Sequence, residues 1–78
     1  MNTIKTILKE LKPEVDFENH DDFIESFLLD SLDIIQLTFK IEEEFSVTIN
    51  DQEIIPENFT SFQKIGELVE RAQKEENQ

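Results

Sequence analysis

The run Asp30-Ser31-Leu32-Asp33 sets one hydroxyl among carboxylates at a point where a helical pattern begins. Free N–H groups and the positive end of the dipole at a helix start favour an anion there. An anion beside Ser31 would therefore be favoured. The same residues also read as an ordinary helix cap, in which a serine or aspartate side chain accepts a backbone N–H of the first turn. Catalysis by Ser31 would need a base, an orienting group and oxyanion donors. The single histidine, His20, falls in a loop and reads as an ordinary loop residue. The single glycine is Gly66, so no glycine-bounded elbow surrounds the serine. Cysteine is absent, so no thiol can attack a substrate, bind a metal or close a disulfide. The acids between Asp16 and Asp22 lack the spacing and central glycine of a calcium loop. No HExxH or phosphate-loop pattern occurs. These residues do not add up to a hydrolase, and no metal site is expected.

The charge balance narrows the partners. The net charge is −12 over 78 residues, and it is unevenly spread. Residues 1–12 are net basic, through Lys5, Lys9 and Lys12 against Glu10, whereas residues 14–58 hold 14 acids against Lys40 alone. That field argues against a nucleic-acid backbone and an anionic membrane surface. It fits positively charged protein partners, or simply a solvated surface. No apolar run approaches the roughly 20 residues needed to cross a bilayer. The N-terminus lacks a continuous apolar block followed by a small-residue cleavage site. A cytoplasmic protein is expected.

The length allows one domain, taken as 1–78 with a frayed tail over 75–78. Ile4, Ile7, Leu8 and Leu11 form one stripe of an amphipathic first helix, which Pro13 ends near Lys12. Glu14 to Asp22 reads as a loop from which Phe17 dips into the core. Residues 22–28 are expected to form a short helical turn with Phe23, Ile24 and Phe27 inward. A second helix starts at Asp30 or Ser31, with Asp33 placed for a capping box, and runs to Phe45. Val47 and Ile49 tuck inward from the connector that follows. Asp51 to Ile55 reads as a brief helix ended by Pro56. A last helix begins at Thr60, with Gln63 completing a second capping box. It buries Phe62, Ile65, Val69 and Ala72 and carries the i,i+4 pairs Glu67–Arg71 and Glu70–Lys74. The fold class expected is all-α: a small four-helix bundle with three main helices, one short helix and a long first loop.

The second helix has two apolar faces. At 100° per residue, Ile34, Leu37, Thr38, Ile41 and Phe45 fall within about 60° of one direction and form the core stripe. Leu32, Ile35 and Phe39 lie about 100–160° away, bordered by Gln36 and followed by Glu42 and Glu43. Either the first loop covers this second stripe, through Phe23 or Phe27, or it is a contact surface.

Asp30-Ser31-Leu32-Asp33, Leu37 and the helix end Ile41-Glu42-Glu43-Glu44-Phe45 resemble an acyl carrier protein, and the resemblance extends over nearly the whole chain. It implies that Ser31 is the attachment residue for 4′-phosphopantetheine delivered from coenzyme A by a separate phosphopantetheinyl transferase. Asp30 would be the neighbouring acid of the motif. Leu32, Asp33, Ile35, Gln36, Phe39, Glu42 and Glu43 would form the partner-docking surface. The protein would be a non-catalytic, monomeric carrier of acyl thioesters in fatty-acid, polyketide or related specialised biosynthesis. Its further partners would be acyl-loading and acyl-transferring enzymes with basic patches. An aminoacyl or peptidyl carrier on the same arm is the near alternative, and a non-carrier acidic interaction module is the distant one. The chain departs from the family pattern at three places. Leu28 stands for a glycine three residues before the serine, Gln36 for a docking glutamate, and Ser46 for a glycine after the second helix. These departures point to a specialised carrier in a dedicated pathway.

Overall fold

The computed structural model describes residues 2–76. Three α-helices carry the fold: α1 (Asn2–Leu11), α2 (Ser31–Phe45) and α3 (Phe62–Glu76). The connection between α2 and α3 contains two 3₁₀ turns, Asp51–Glu53 and Pro56–Phe59. No strand occurs among the described residues. The architecture is thus all-helical with three helices. The single short helix expected over Asp51–Ile55 is replaced by the two 3₁₀ turns, and Pro56 begins the second of them, where its missing N–H costs nothing. The helical run reaches Glu76, so Glu75 and Glu76 continue α3, while residues 77–78 of the expected tail lie outside the described residues.

The apolar stripes of the sequence meet in one core. Ile4, Ile7 and Leu8 of α1 face Ile34, Leu37 and Ile41 of α2 and Ile65, Leu68, Val69 and Ala72 of α3, all buried. α1 packs on both α2 and α3, and the second 3₁₀ turn likewise touches both, driving Phe59 into full burial. Val47 and Ile49 are buried as their alternation predicts. Phe45 is only half-buried, packing on the margin of the core. Thr38 is buried, and its hydroxyl donates to Ile34 O at 2.8 Å, so its polar atom is satisfied within the helix.

The first loop is fastened by aromatic rings. Phe17 and Phe23 meet edge-on at 5.0 Å, and Phe23 meets Phe62 of α3 edge-on at 5.1 Å. The Phe23 N–H donates to Thr60 O at 2.7 Å. The expected helical turn over 22–28 forms as one turn, with the Ser26 N–H donating to Asp22 O at 3.0 Å, but Phe27 does not take its expected inward place. Asp22 Oδ1 accepts both the Ile24 and Glu25 N–H at 2.9 Å, which closes a single turn that does not continue. Phe27 then takes φ 61°, and the Leu28 and Leu29 N–H groups return to Phe23 O. That left-handed residue reverses the chain and turns the Phe27 side chain outward to 90% exposure, so it does not reach the core.

The start of α3 also differs from expectation. Ser61 Oγ accepts the Lys64 N–H at 3.1 Å, while the Thr60 hydroxyl faces back to Glu57 O. Ser61 is therefore the cap, because the Pro56–Phe59 turn holds Thr60 in a helical conformation rather than the extended one a cap requires. Arg71 turns from Glu67 to Glu53, Nε to Oε2 at 2.7 Å, and ties α3 to the first 3₁₀ turn. No ion pair joins Glu70 to Lys74 among the described residues.

Candidate functional site

Ser31 is the first residue of α2 and is exposed. It is not the cap. Asp30 occupies that position with extended backbone, φ −114° and ψ −175°. Its Oδ1 accepts the Asp33 N–H at 2.9 Å, and Asp33 Oδ2 accepts the Asp30 N–H at 3.1 Å. The reciprocal capping box satisfies two orphan N–H groups without using the serine. Among the described residues none holds the Ser31 hydroxyl, which stands free in solvent at the positive end of a 15-residue helix.

Behind the serine lies an ion pair absent from the local pattern. Lys12, just after α1, places Nζ 2.9 Å from Asp33 Oδ2 and donates to Leu28 O at 3.2 Å. Burial pushes the Asp33 carboxyl up, but the bond from Lys12, the Asp30 N–H and the lysine charge together hold it below the usual aspartate range. Asp33 is thus held largely by its own chain, its side chain 13% exposed, and its carboxylate serves the cap and Lys12. Lys12 could not be picked out beforehand, since its partners lie 16 and 21 residues away.

The second stripe of α2 is open. Leu32, Ile35 and Phe39 are 61%, 48% and 65% exposed, and neither Phe23 nor Phe27 covers them. Phe23 is buried elsewhere and Phe27 points to solvent. Gln36 and Glu43 are exposed. Glu42 is half-buried, and its Oε2 accepts the Ile49 N–H at 2.9 Å, so it fastens the connector to α2. Only part of its charge can reach outward. Phe27 adds an exposed ring four residues before Ser31 that the sequence periodicity had placed inside.

The three positions that depart from the resembled pattern have distinct fates. Ser46 adopts φ 55° and ψ 46°, the left-handed conformation that a helix-terminating glycine takes, with its N–H and that of Val47 both donating to Glu42 O. Leu28 is not in such a conformation; the left-handed residue of that loop is Phe27. Gln36 remains a neutral, exposed residue beside Ile35.

A group joined to Ser31 Oγ fits these residues. The bond needs a free primary hydroxyl, and this one is exposed and has no capping duty. A phosphate on it would lie beside the open N–H groups of α2. A groove of about 650 Å³ between α1 and residues 13–18 is lined by Lys5, Lys9, Val15, Phe17 and Phe62 and does not include Ser31. The serine side of the molecule presents its chemistry outward rather than enclosing a substrate. Among the described residues no cluster of His, Cys, Asp and Glu could hold a metal ion, and no helix is long and apolar enough to cross a membrane.

A family model described as the phosphopantetheine attachment site matches residues 1–72. The acyl carrier protein of Buchnera aphidicola subsp. Baizongia pistaciae (strain Bp) is 40% identical over 53 residues. That alignment covers 68% of this chain and 65% of the relative, a little under two thirds of the relative's length. No solved structure gives a significant match.

Proposed function

The chain belongs to the acyl carrier protein family, non-catalytic carriers whose prosthetic group is 4′-phosphopantetheine, and on that premise we propose that Ser31 is the attachment residue. The observation that carries this reading is the division of labour at the start of α2. Asp30 and Asp33 complete the cap, and the serine hydroxyl is left exposed and unengaged. In the attachment step a bond forms between Ser31 Oγ and the phosphorus that carries the pantetheine arm of coenzyme A. The pyrophosphate P–O bond breaks, adenosine bisphosphate leaves, and the serine proton passes to a base of the separate transferase. Once joined, the arm supplies a terminal thiol that holds an acyl group as a thioester, which accounts for a carrier with no cysteine of its own.

The chain's own residues then serve recognition. Leu32, Ile35 and Phe39 present a contiguous apolar strip beside the serine, and Gln36, Glu43 and the outward part of Glu42 border it. The acidic middle of the chain draws in enzymes with basic patches, and the apolar strip seats them. These partners are the transferase and the acyl-loading and acyl-transferring enzymes of fatty-acid, polyketide or related specialised biosynthesis in the cytoplasm, with the carrier acting as a monomer. Intact mass after co-expression with a broad-specificity transferase tests the site. The wild-type chain gains one arm, and Ser31→Ala gains none while keeping its fold. An arm found on Ser26, Ser46 or Ser61 overturns the assignment.

A further inference from the structure

We propose that Lys12 is a positioning residue for arm attachment, clamping the segment from Leu28 to Asp33 so that the Ser31 hydroxyl is presented in one orientation; this rests on the reading of Ser31 given above. The ammonium of Lys12 contacts the chain on both sides of the serine, Leu28 O at 3.2 Å before it and Asp33 Oδ2 at 2.9 Å after it. Asp33 Oδ2 also accepts the Asp30 N–H, so one carboxylate oxygen joins Lys12 to the residue adjoining Ser31. The clamp has a firm base. The Lys12 N–H extends the last turn of α1 by donating to Leu8 O at 2.9 Å, and Leu8 is fully buried.

The serine segment needs such a hold. The first turn of a helix has no preceding carbonyls to bond, so its residues are those most apt to fray. The chain enters α2 from the left-handed reversal at Phe27, supported by the Leu28 and Leu29 N–H groups on Phe23 O. Beyond Leu29, the capping box and Lys12 hold the entry. Lys12 does not serve α2 as a helix, because a cation near a helix N-terminus opposes the dipole. Its bonds to Asp33 and Leu28 O instead fasten the end of α1 to the start of α2. An acceptor hydroxyl misplaced by about 1 Å can cost a transfer step on the order of 10²-fold. Among the described residues the polar contacts of Lys12 go to Leu28 and Asp33 and not to the strip of Leu32, Ile35 and Phe39, so docking and orientation are separable.

The test is steady-state phosphopantetheinylation by a purified broad-specificity transferase with coenzyme A, with a thermal melt of each variant. The carriers compared are the wild type, Lys12→Met, Lys12→Arg, Asp33→Asn, and Lys12→Met combined with Asp33→Asn. Lys12→Met is expected to lower kcat about tenfold and leave KM for the carrier within about twofold, because orientation is lost and docking is kept. Lys12→Arg, which keeps the charge and several donors, is expected to recover kcat to within about threefold of wild type. The double variant is expected to be no slower than the slower single variant, since both changes act on the Lys12–Asp33 ion pair. An unchanged kcat in Lys12→Met, a loss confined to KM, or losses that multiply in the double variant overturns the proposal. Should Lys12→Met not fold, Asp33→Asn decides, since wild-type kcat there overturns the clamp. A wild-type chain that is not modified, or is modified away from Ser31, defeats the attachment reading itself and is distinguished by mapping the arm.

Discussion

Replacing Ser46 with glycine is expected to stabilise the protein. Ser46 holds φ 55° and ψ 46°, where the Cβ of an L-residue crowds its own following carbonyl. That conformation costs a non-glycine residue roughly 1–2 kcal/mol. Glycine removes this cost but adds freedom to the unfolded chain, about 0.4–1 kcal/mol. Nothing else changes much. Ser46 is exposed, and the bonds at this helix end come from the backbone N–H groups of Ser46 and Val47 to Glu42 O, which glycine retains. The balance is a gain of about 0.5–1 kcal/mol, equivalent to a rise in Tm of roughly 3–6 °C for a domain of this size. A calorimetric melt of wild type, Ser46→Gly and Ser46→Ala measures it. Alanine keeps the Cβ and should melt at or below wild type. A glycine variant that melts no higher than the alanine variant refutes the account of strain at this turn. The position is the one at which the resembled family has glycine, so the comparison also measures what that departure costs.

Phe39→Ala is expected to change stability by no more than about 1 kcal/mol, since the ring is mostly exposed, whereas Phe59→Ala should cost about 3–5 kcal/mol because Phe59 is fully buried. Phe39→Ala should nevertheless slow arm attachment through a raised KM, and a paired melt and rate measurement separates the two effects. Glu43→Lys should leave the melt nearly unchanged and slow attachment more at low salt than at high salt. Glu42→Lys should also destabilise by roughly 1–3 kcal/mol, because it strips the Ile49 N–H of its acceptor. Asp33 has its carboxyl lowered in the folded state, so its contribution to stability is complete above the unfolded value of about 4 and is lost as pH falls through the folded one. The stability gap between wild type and Lys12→Met should accordingly narrow in acid denaturation series below about pH 4.

Much of the candidate site is written in short-range signals. The capping box of Asp30 and Asp33 depends on residues three apart, and the two stripes of α2 depend on spacings of three and four. Such patterns carry their own geometry, and the place of Ser31, the core face and the second apolar stripe of Leu32, Ile35 and Phe39 follow from them, whereas the folded first loop decided that this stripe stays open. α1, with Pro13 just beyond its end, is equally local. The signal is weaker where two local solutions compete. Thr60 and Ser61 can each cap α3, and the choice fell to Ser61 because Pro56–Phe59 winds into a 3₁₀ turn that carries Thr60 with it.

What the chain alone does not determine is where its loops land. Phe27 has the composition of a core residue, yet the Asp22 turn and the reversal at Phe27 send it outward while Phe17, Phe23 and Phe62 fill the space beneath the loop. Arg71 has Glu67 within reach on its own helix but meets Glu53, 18 residues away, because the folded connector brings that carboxylate alongside α3. Lys12 reads as one base of an amphipathic helix until folding sets its ammonium against Leu28 O and Asp33. Helix periodicity and caps are decided over one turn of chain, so the sequence by itself determined the serine, its cap and the two faces of α2. Contacts across 16–21 residues depend on the packing of the core, so only the tertiary structure decided which charges were enclosed and which remained for a partner.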